Sequence, residues 1–340
     1  MPKRISINDI AKELNVAIST VSAVLNGKAE ERRISAAMAQ RVMEHARKIG
    51  YKPNMVARSL RTGKSNIIGM LVEDISDPFF ASIARLVEKR AAEHDYKLFY
   101  SSTENKPFIA RSLIRAFRDR QVDGYIIAPT PEIEKEINLL KNEGVPLVLF
   151  DRYFPEAETN YVVVDNFESS YKATKHLMDN GYNNIAFVTI KSNQTQMADR
   201  LKGYEAAMTE MGYPTVMKKV DYSMSDKILY DKIEAFLKAN PKIDAVFFAT
   251  NYLAVNGLKV IRNLKLQIPE NIAMLGFDDN THFNLFTPSI SSVAQPIEQI
   301  ASEIVRVLMK DMLGNAKEIS KEHIVLNCEL IVRNSSGRSV

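Results

Sequence analysis

The sequence predicts an α/β protein: an N-terminal all-α helix-turn-helix head followed by two doubly wound parallel-sheet subdomains. Three observations carry this. Residues 6–27 hold two short helical patterns separated by almost nothing. From Asn66 onward, short apolar runs alternate with helical patterns, the signature of parallel sheets with crossover connections. These units outnumber the strands of one ordinary doubly wound sheet, so two α/β subdomains are expected.

The first helix is read from Ile7, Ile10, Ala11 and Leu14, which recur at i, i+3, i+4 and i+7 on one face. Ser6 is a suitable N-cap, and Asp9 can reach back to it as a variant capping box. The second helix runs from about Ala17 to Leu25, with Val21, Val24 and Leu25 on its apolar side. Asn15-Val16 leaves room only for a tight turn, so the two helices must cross steeply. That is the arrangement whose second helix fits a DNA major groove. Its exposed face offers Ser19, Thr20 and Ser22, hydroxyls suited to phosphates and base edges.

Charge supports the same reading. Residues 1–64 contain 13 Lys and Arg and 5 Asp and Glu, a net +8, whereas the whole chain is +4 and residues 65–340 are therefore −4. The basic excess sits on the helix-turn-helix segment, as expected of a protein that holds a phosphate backbone with one end.

A third helix, from about Ser35 to Ile49, places Met38, Val42 and Ala46 on one face and closes a small three-helix core; Gly50 ends it. Next comes YKPNMVARSLRTGKS. Pro53 blocks continuation from upstream, and Asn54 can cap a short helix over Met55 to Arg61. A helix of two turns is marginal alone in water. This is a linker with latent helical character.

The strands of the remainder are expected at Ile67–Val72, Tyr96–Ser101, Gly124–Ala128, Leu147–Phe150, Val162–Val164, Ile185–Ile190, Ala245–Ala249 and Ile272–Gly276. Ligands of open parallel sheets bind beyond the carboxyl ends of the strands. There the sequence places Asp74, Asp77, Ser102 to Glu104, Asp151-Arg152, Asp165-Asn166, Thr250-Asn251 and Asp278-Asp279. Any one of these alone reads as a turn former or cap; their number at one rim suits a small polyhydroxylated ligand. Phe79-Phe80 can pack on an apolar ring face.

Hydrophobic residues make up 46% and charged residues 25%, values of a globular chain long enough, at 340 residues, for two or three domains. No apolar run approaches membrane-spanning length, and the polar N-terminus is not a secretory signal. The single cysteine, Cys328, excludes an intramolecular disulfide and fits a reducing compartment; it lies in a strand-like run, IVLNCELIV, and reads as a core or sheet residue. No dinucleotide fingerprint, P-loop, nucleophile elbow or HExxH motif occurs. The five histidines lack metal-ligand spacing, although His282 follows the strand ending near Asp278 and can border the cleft.

Eight motifs in order run along the whole chain: SINDIAKELNVAISTVSAVLNG at 6–27, GYKPNMVARSLRTGKSNIIGMLVEDISDPFF at 50–80, VPLVLFDR at 145–152, VVVDN at 162–166, RLKGYEAAM at 200–208, TNYLAVNG at 250–257, GFDD at 276–279 and SSVAQP at 291–296. On these the chain resembles the lactose-repressor/galactose-repressor (LacI/GalR) family of bacterial transcription regulators. The resemblance implies a DNA-binding domain over residues 1–50, a hinge over 51–64, and an effector-binding and dimerisation core over 65–340 of periplasmic-binding-protein type. Within that core it implies an N-subdomain of about 65–163 and 296–325, and a C-subdomain of about 164–295 and 326–340. On the DNA side it implies contacts from Ser6, base reading by Ile18 and Ser19, phosphate contacts from Thr20, Ser22 and Asn26, and a hinge helix that includes Asn54, Ala57 and Leu60. Leu60 matches the leucine that wedges into the minor groove. In the core it implies effector binding by Phe79, Phe80, Asp151, Arg200, Asn251 and Asp278.

Three residues depart from the family pattern. Ala17 stands where a serine is usual, so Asn15 or solvent must serve that helix end. Ala23 replaces a common base-reading arginine. Tyr252 replaces the aspartate that usually follows Asn251, which changes the effector pocket.

The expected protein is therefore a ligand-responsive, cytoplasmic repressor of a carbohydrate-utilisation operon. It is expected to be a homodimer on a pseudo-palindromic operator, with tetramerisation open, to take a sugar or sugar derivative in the cleft, and to have no membrane partner, metal or cofactor. The rival is a sugar-binding receptor of periplasmic type, which needs an export signal and no DNA-binding head; an enzyme on the α/β core is a distant third.

Overall fold

The computed structural model describes residues 5–51, 63–222, 225–280, 282–314 and 320–337. The chain divides into two compact units, residues 1–65 and 66–340. The hinge residues Asn54, Ala57 and Leu60 lie outside the described residues.

The first unit contains helices Ile7–Leu14 (α1), Ile18–Leu25 (α2) and Ala36–Lys48 (α3). The capping box at α1 is formed: the Ser6 hydroxyl accepts from the Asp9 amide while the Asp9 carboxylate accepts from the Ser6 amide at 2.8 Å. Ile10, Leu14, Val21, Val24, Val42 and Ala46 form the buried centre. Asn15 caps the end of α1, with φ of 51°, and does not serve α2, whose N-cap Ala17 supplies no side-chain bond. Asparagine tolerates this left-handed turn, and its backbone is spent on the α1 carbonyls, which corrects the expected role of Asn15.

The second unit is built on two six-stranded sheets. One contains Ile67–Val72 (β1), Lys97–Ser102 (β2), Gly124–Ile127 (β3), Leu147–Phe150 (β4), Asn160–Val164 (β5) and His323–Leu326 (β11), in the order β11-β5-β4-β3-β1-β2, all parallel. The other contains Ile185–Ile190 (β6), Val216–Val220 (β7), Ala245–Phe248 (β8), Ala273–Phe277 (β9), Ser291–Ala294 (β10) and Glu329–Ile331 (β12), in the order β12-β10-β9-β8-β6-β7. Only the β10–β12 pair of that sheet is antiparallel. The eight expected strands are present, with ends shifted by a residue or two. Of the other four, β7 is a half-exposed edge strand with no continuous apolar run, β10 is four residues long and begins with two serines, and β11 and β12 both fall within the strand-like run around Cys328.

The strand-like run around Cys328 is not one strand. It breaks at Asn327-Cys328, so that β11 belongs to one sheet and β12 to the other. The chain passes between sheets at three places: after Val164, after Ala294 and after Leu326. The first and third are tied together by Asp165. Its amide donates to the Leu326 carbonyl at 2.9 Å, and its carboxylate accepts from the Cys328 amide at 2.8 Å and from the Ser169 hydroxyl at 2.7 Å. Burial pushes the Cys328 thiol up to about 12, which keeps it protonated.

Helices Asn166–Asp179 (α7) and Thr195–Glu210 (α8) pack closely on the second sheet. Gly203 permits the close approach of α8 to α7, because a β-carbon there would lie 2.2 Å from the Phe167 carbonyl oxygen. Gln196 and Arg200 lie one turn apart on this closely packed helix.

Candidate functional site

On the head, α2 exposes Ile18, Ser19 and Asn26 and half-exposes Thr20 and Ser22, while Val21 and Val24 anchor its other face. The Asn26 amide donates back to the Ser22 carbonyl at 2.6 Å. Ser6 carries its hydroxyl in the capping box. With no side chain capping it, the start of α2 presents free backbone N–H groups, and such an end favours an anion.

In the second unit, the strand ends of both sheets meet at one cleft. Helix Pro78–Ala92 (α4) begins there. Asp77 caps it, accepting from the Phe79 amide at 2.8 Å, and Pro78 fixes its first turn. Phe79 and Phe80 follow, buried edge to face with centroids 5.0 Å apart, and Phe80 meets Phe150 at 6.1 Å. Directly after β4 and β9, Asp151 and Asp278 take left-handed backbone, with φ of 66° and 69°. The same strained turn thus ends one central strand of each sheet and aims a carboxylate into the cleft.

Two arginines balance part of this acidity. Arg152 is buried, with its Nη1 2.8 Å from Glu73 and 3.5 Å from Asp151, and its Nε donates to the Pro129 carbonyl at 2.9 Å. Arg200 is 2% exposed. Its Nε donates to Asn166 at 2.8 Å, its Nη1 donates to the Ala249 carbonyl at 2.7 Å and lies 3.6 Å from Asp278, and its guanidinium covers the Phe277 ring at 3.6 Å. The Gln295 amide donates to Asp278 at 2.6 Å. Asp278 is thereby linked to two of the three crossings between sheets, through Gln295 at one and through Arg200 and Asn166 at another.

These groups surround a central cavity of about 40 Å³ lined by Phe79, Phe80, Asp151, Arg200, Asn251 and Asp278, all six core residues expected from the sequence. Glu73, Asp77, Arg152, Gln196 and Tyr252 line it too. Larger cavities adjoin it, one of about 670 Å³ and one of about 360 Å³. Burial pushes the Asp151 carboxyl up to about 6; burial, with the Asp278 charge behind it, does the same to Asp77. Burial and the Glu73 charge raise the phenols of Tyr252 and Tyr222. Two buried polar atoms in the lining, Arg152 Nη2 and Gln196 Oε1, have no hydrogen-bond partner.

Sequence reading missed Gln196, Tyr222 and the position of Glu73. Gln196 sits four residues before Arg200 on α8, a spacing that puts both on one face. Tyr222 follows β7, a strand with no apolar signal. Other strand-end residues do not reach the cavity: Asp279 pairs with Arg333 at 2.7 Å, Glu104 pairs with Lys106, and Asp165 serves the crossings. His282 is exposed and bonded to Asn280, outside the cavity lining.

Comparison with known proteins agrees with this architecture. Residues 6–54 match the model of bacterial regulatory proteins of the lacI family, and residues 65–331 match that of periplasmic binding proteins and the sugar binding domain of the LacI family. The chain is 32% identical to the HTH-type transcriptional regulator RegA of Clostridium saccharobutylicum, over 97% of this chain and 99% of that one. A complex of the transcriptional regulator CelR with cellobiose is 25% identical, with a TM-score of 0.71 over 98% of this chain and 100% of that one. The lac repressor dimer bound to operator and the anti-inducer ONPF shares the fold at 19% identity, with a TM-score of 0.86 over 99% of this chain and 100% of that one. A DNA-binding head and a periplasmic-binding-type core define a ligand-controlled transcription regulator. The chain belongs to the LacI family of bacterial regulatory proteins.

Proposed function

We propose that this regulator is a cytoplasmic homodimeric repressor of a carbohydrate-utilisation operon, released or tightened on its operator by a sugar held in the cleft, and that it is not an enzyme. The observation that carries the effector site is the convergence of six expected side chains, from strand ends of both sheets and from the helices beside them, on one cavity. Carboxylates accept from hydroxyls, and the partnerless Arg152 Nη2 and Gln196 Oε1 call for an acceptor and a donor together, which one hydroxyl group supplies. Phe79, Phe80, Asp151, Arg200, Asn251 and Asp278 are the proposed effector contacts. The sugar complex of the relative CelR supports the ligand class.

On the DNA side, Ile18 and Ser19 read bases, while Thr20, Ser22 and Asn26, with the uncapped start of α2, hold phosphates. Ser6 fixes α1 beside the backbone. The hinge of residues 51–64, through Asn54, Ala57 and Leu60, is proposed to contact the operator, with Leu60 entering the minor groove. The core is proposed to divide into an N-subdomain of about 65–163 and 296–325 and a C-subdomain of about 164–295 and 326–340. No helix among the described residues is long and apolar enough to cross a membrane.

A thermal-shift screen of the full chain against neutral sugars, sugar phosphates and purines tests this. A neutral sugar at 100 times its Kd should raise the melting point by about 5–10 °C; a purine or a phosphate ester acting alone would overturn the ligand class. Titration calorimetry should then show a pH dependence of definite sign. Asp77 and Asp151 titrate near 6, above the ordinary carboxylate value of 3.8, so they are ionised acceptors at pH 7.5 and largely protonated at pH 5. Affinity should fall as pH drops through 6. The ligand-free core should respond oppositely. Its raised carboxyls favour the proton in the folded state, a contribution fully present below 3.8 and lost as pH rises through 6.

A further inference from the structure

We propose that the cleft holds a second subsite beside the central one, and that its occupant is the second ring of an uncharged disaccharide or longer glycoside. The inference rests on the sugar reading of the central cavity and deepens it. The central cavity of about 40 Å³ adjoins the cavity of about 670 Å³, and Arg152 and Ile190 stand on the walls of both. A ligand bonded to Arg152 Nη2 is therefore at the junction of the two spaces.

The outer space is furnished for a ring. Pro129, Tyr153, Phe154 and Pro155 give it apolar surface, and Asn105 and Gln194 give it amides. Flat apolar groups beside a few convergent polar ones are what a sugar needs, since its ring faces are apolar and its rim is hydroxylated. Tyr153 is a fixed platform. Its ring stacks on Tyr161 at 4.1 Å, and Tyr161 stacks on His323 at 4.3 Å, a three-ring ladder that the central site does not require. A side chain already held in place loses little freedom when a ligand lands on it. The Gln194 amide nitrogen is lightly committed: it donates to Asn105 at 3.2 Å and to the Pro129 carbonyl at 3.4 Å, long bonds that a sugar hydroxyl can replace, while its oxygen accepts from the Ser192 hydroxyl at 3.0 Å.

Charge narrows the class of ligand at the central subsite. Its lining carries Glu73, Asp77, Asp151 and Asp278 against Arg152 and Arg200. A phosphate or carboxylate there meets repulsion. In the outer space Lys191 shares Asp221 with Lys232, at 2.9 and 2.8 Å, and Arg152 is taken up by Glu73. The central subsite opposes an anion, and the apolar walls of the outer one suit a neutral ring.

The test is calorimetry on the full chain with maltose, cellobiose, lactose and xylobiose, each against its constituent monosaccharides. At least one disaccharide should bind about tenfold more tightly than its monosaccharides, the scale of one aromatic platform. Tyr153→Ala should remove most of that gain and leave monosaccharide affinity within about twofold. Phe154→Ala, which leaves the ladder intact, should act in the same direction. Monosaccharide binding with no disaccharide gain overturns the second subsite alone. Equal weakening of both ligands in Tyr153→Ala does the same. Failure of every sugar to bind overturns the central reading and this inference with it.

Discussion

Asp278→Asn should weaken effector binding at least tenfold and leave operator binding near normal. The substitution keeps the shape of the side chain and its contact with Gln295, and removes the negative charge facing Arg200. A charge-assisted hydrogen bond to a ligand contributes about 1.5–3 kcal/mol, and about 1.4 kcal/mol is tenfold in affinity. Arg200→Ala is the harsher change. It strips partners from Asn166, Asp278 and the Ala249 carbonyl at once in a place that is 2% exposed. Breaking a buried pair from one side costs about 3–5 kcal/mol. Arg200→Ala should therefore lower the melting point of the core as well as abolish effector binding, whereas Asp278→Asn should mainly do the second. Calorimetry for affinity and scanning calorimetry for stability separate the two. Unchanged effector affinity in both variants would move the site elsewhere.

Operator affinity should fall by about a thousandfold or more between 50 and 200 mM salt, the loss expected when six or more phosphates are neutralised. The basis is the uneven charge of the chain, +8 in residues 1–64 and −4 in the rest. The same measurement on residues 66–340 should show no DNA binding at either salt concentration. A salt slope near zero for the full chain would mean that the head does not hold a phosphate backbone.

What the sequence made legible follows from which interactions are local. The head was readable nearly residue by residue, because a capping box, a three-helix apolar period and a net charge are written within a few turns of chain. The central strands were readable because strands covered on both faces are continuous apolar runs. The half-exposed edge strand β7 was not, and β11 and β12 looked like one element because nothing within IVLNCELIV marks the step from one sheet to the other. That step is set by Asp165, more than 160 residues earlier, which takes the Cys328 amide away from a ladder. Similarly, the strand-end aspartates could be named in advance but not sorted. Asp278 enters the cavity while its neighbour Asp279 turns to Arg333, a difference that left-handed backbone at Asp278 produces and that composition does not reveal. The resemblance to a family supplied Arg200, which lies inside a helix and whose role no local pattern signals.

A sugar in the cleft of the core is proposed to control operator binding by the head. Fluorescence anisotropy of labelled operator, with and without the sugar found in the screen, tests it directly when wild type is set against Asp278→Asn. The sugar should shift the wild-type operator Kd by about 5- to 150-fold, a coupling of about 1–3 kcal/mol, and should shift the variant not at all at the same concentration, while both bind operator equally without sugar. An equal shift in both proteins, or none in wild type at saturating sugar, would contradict the account.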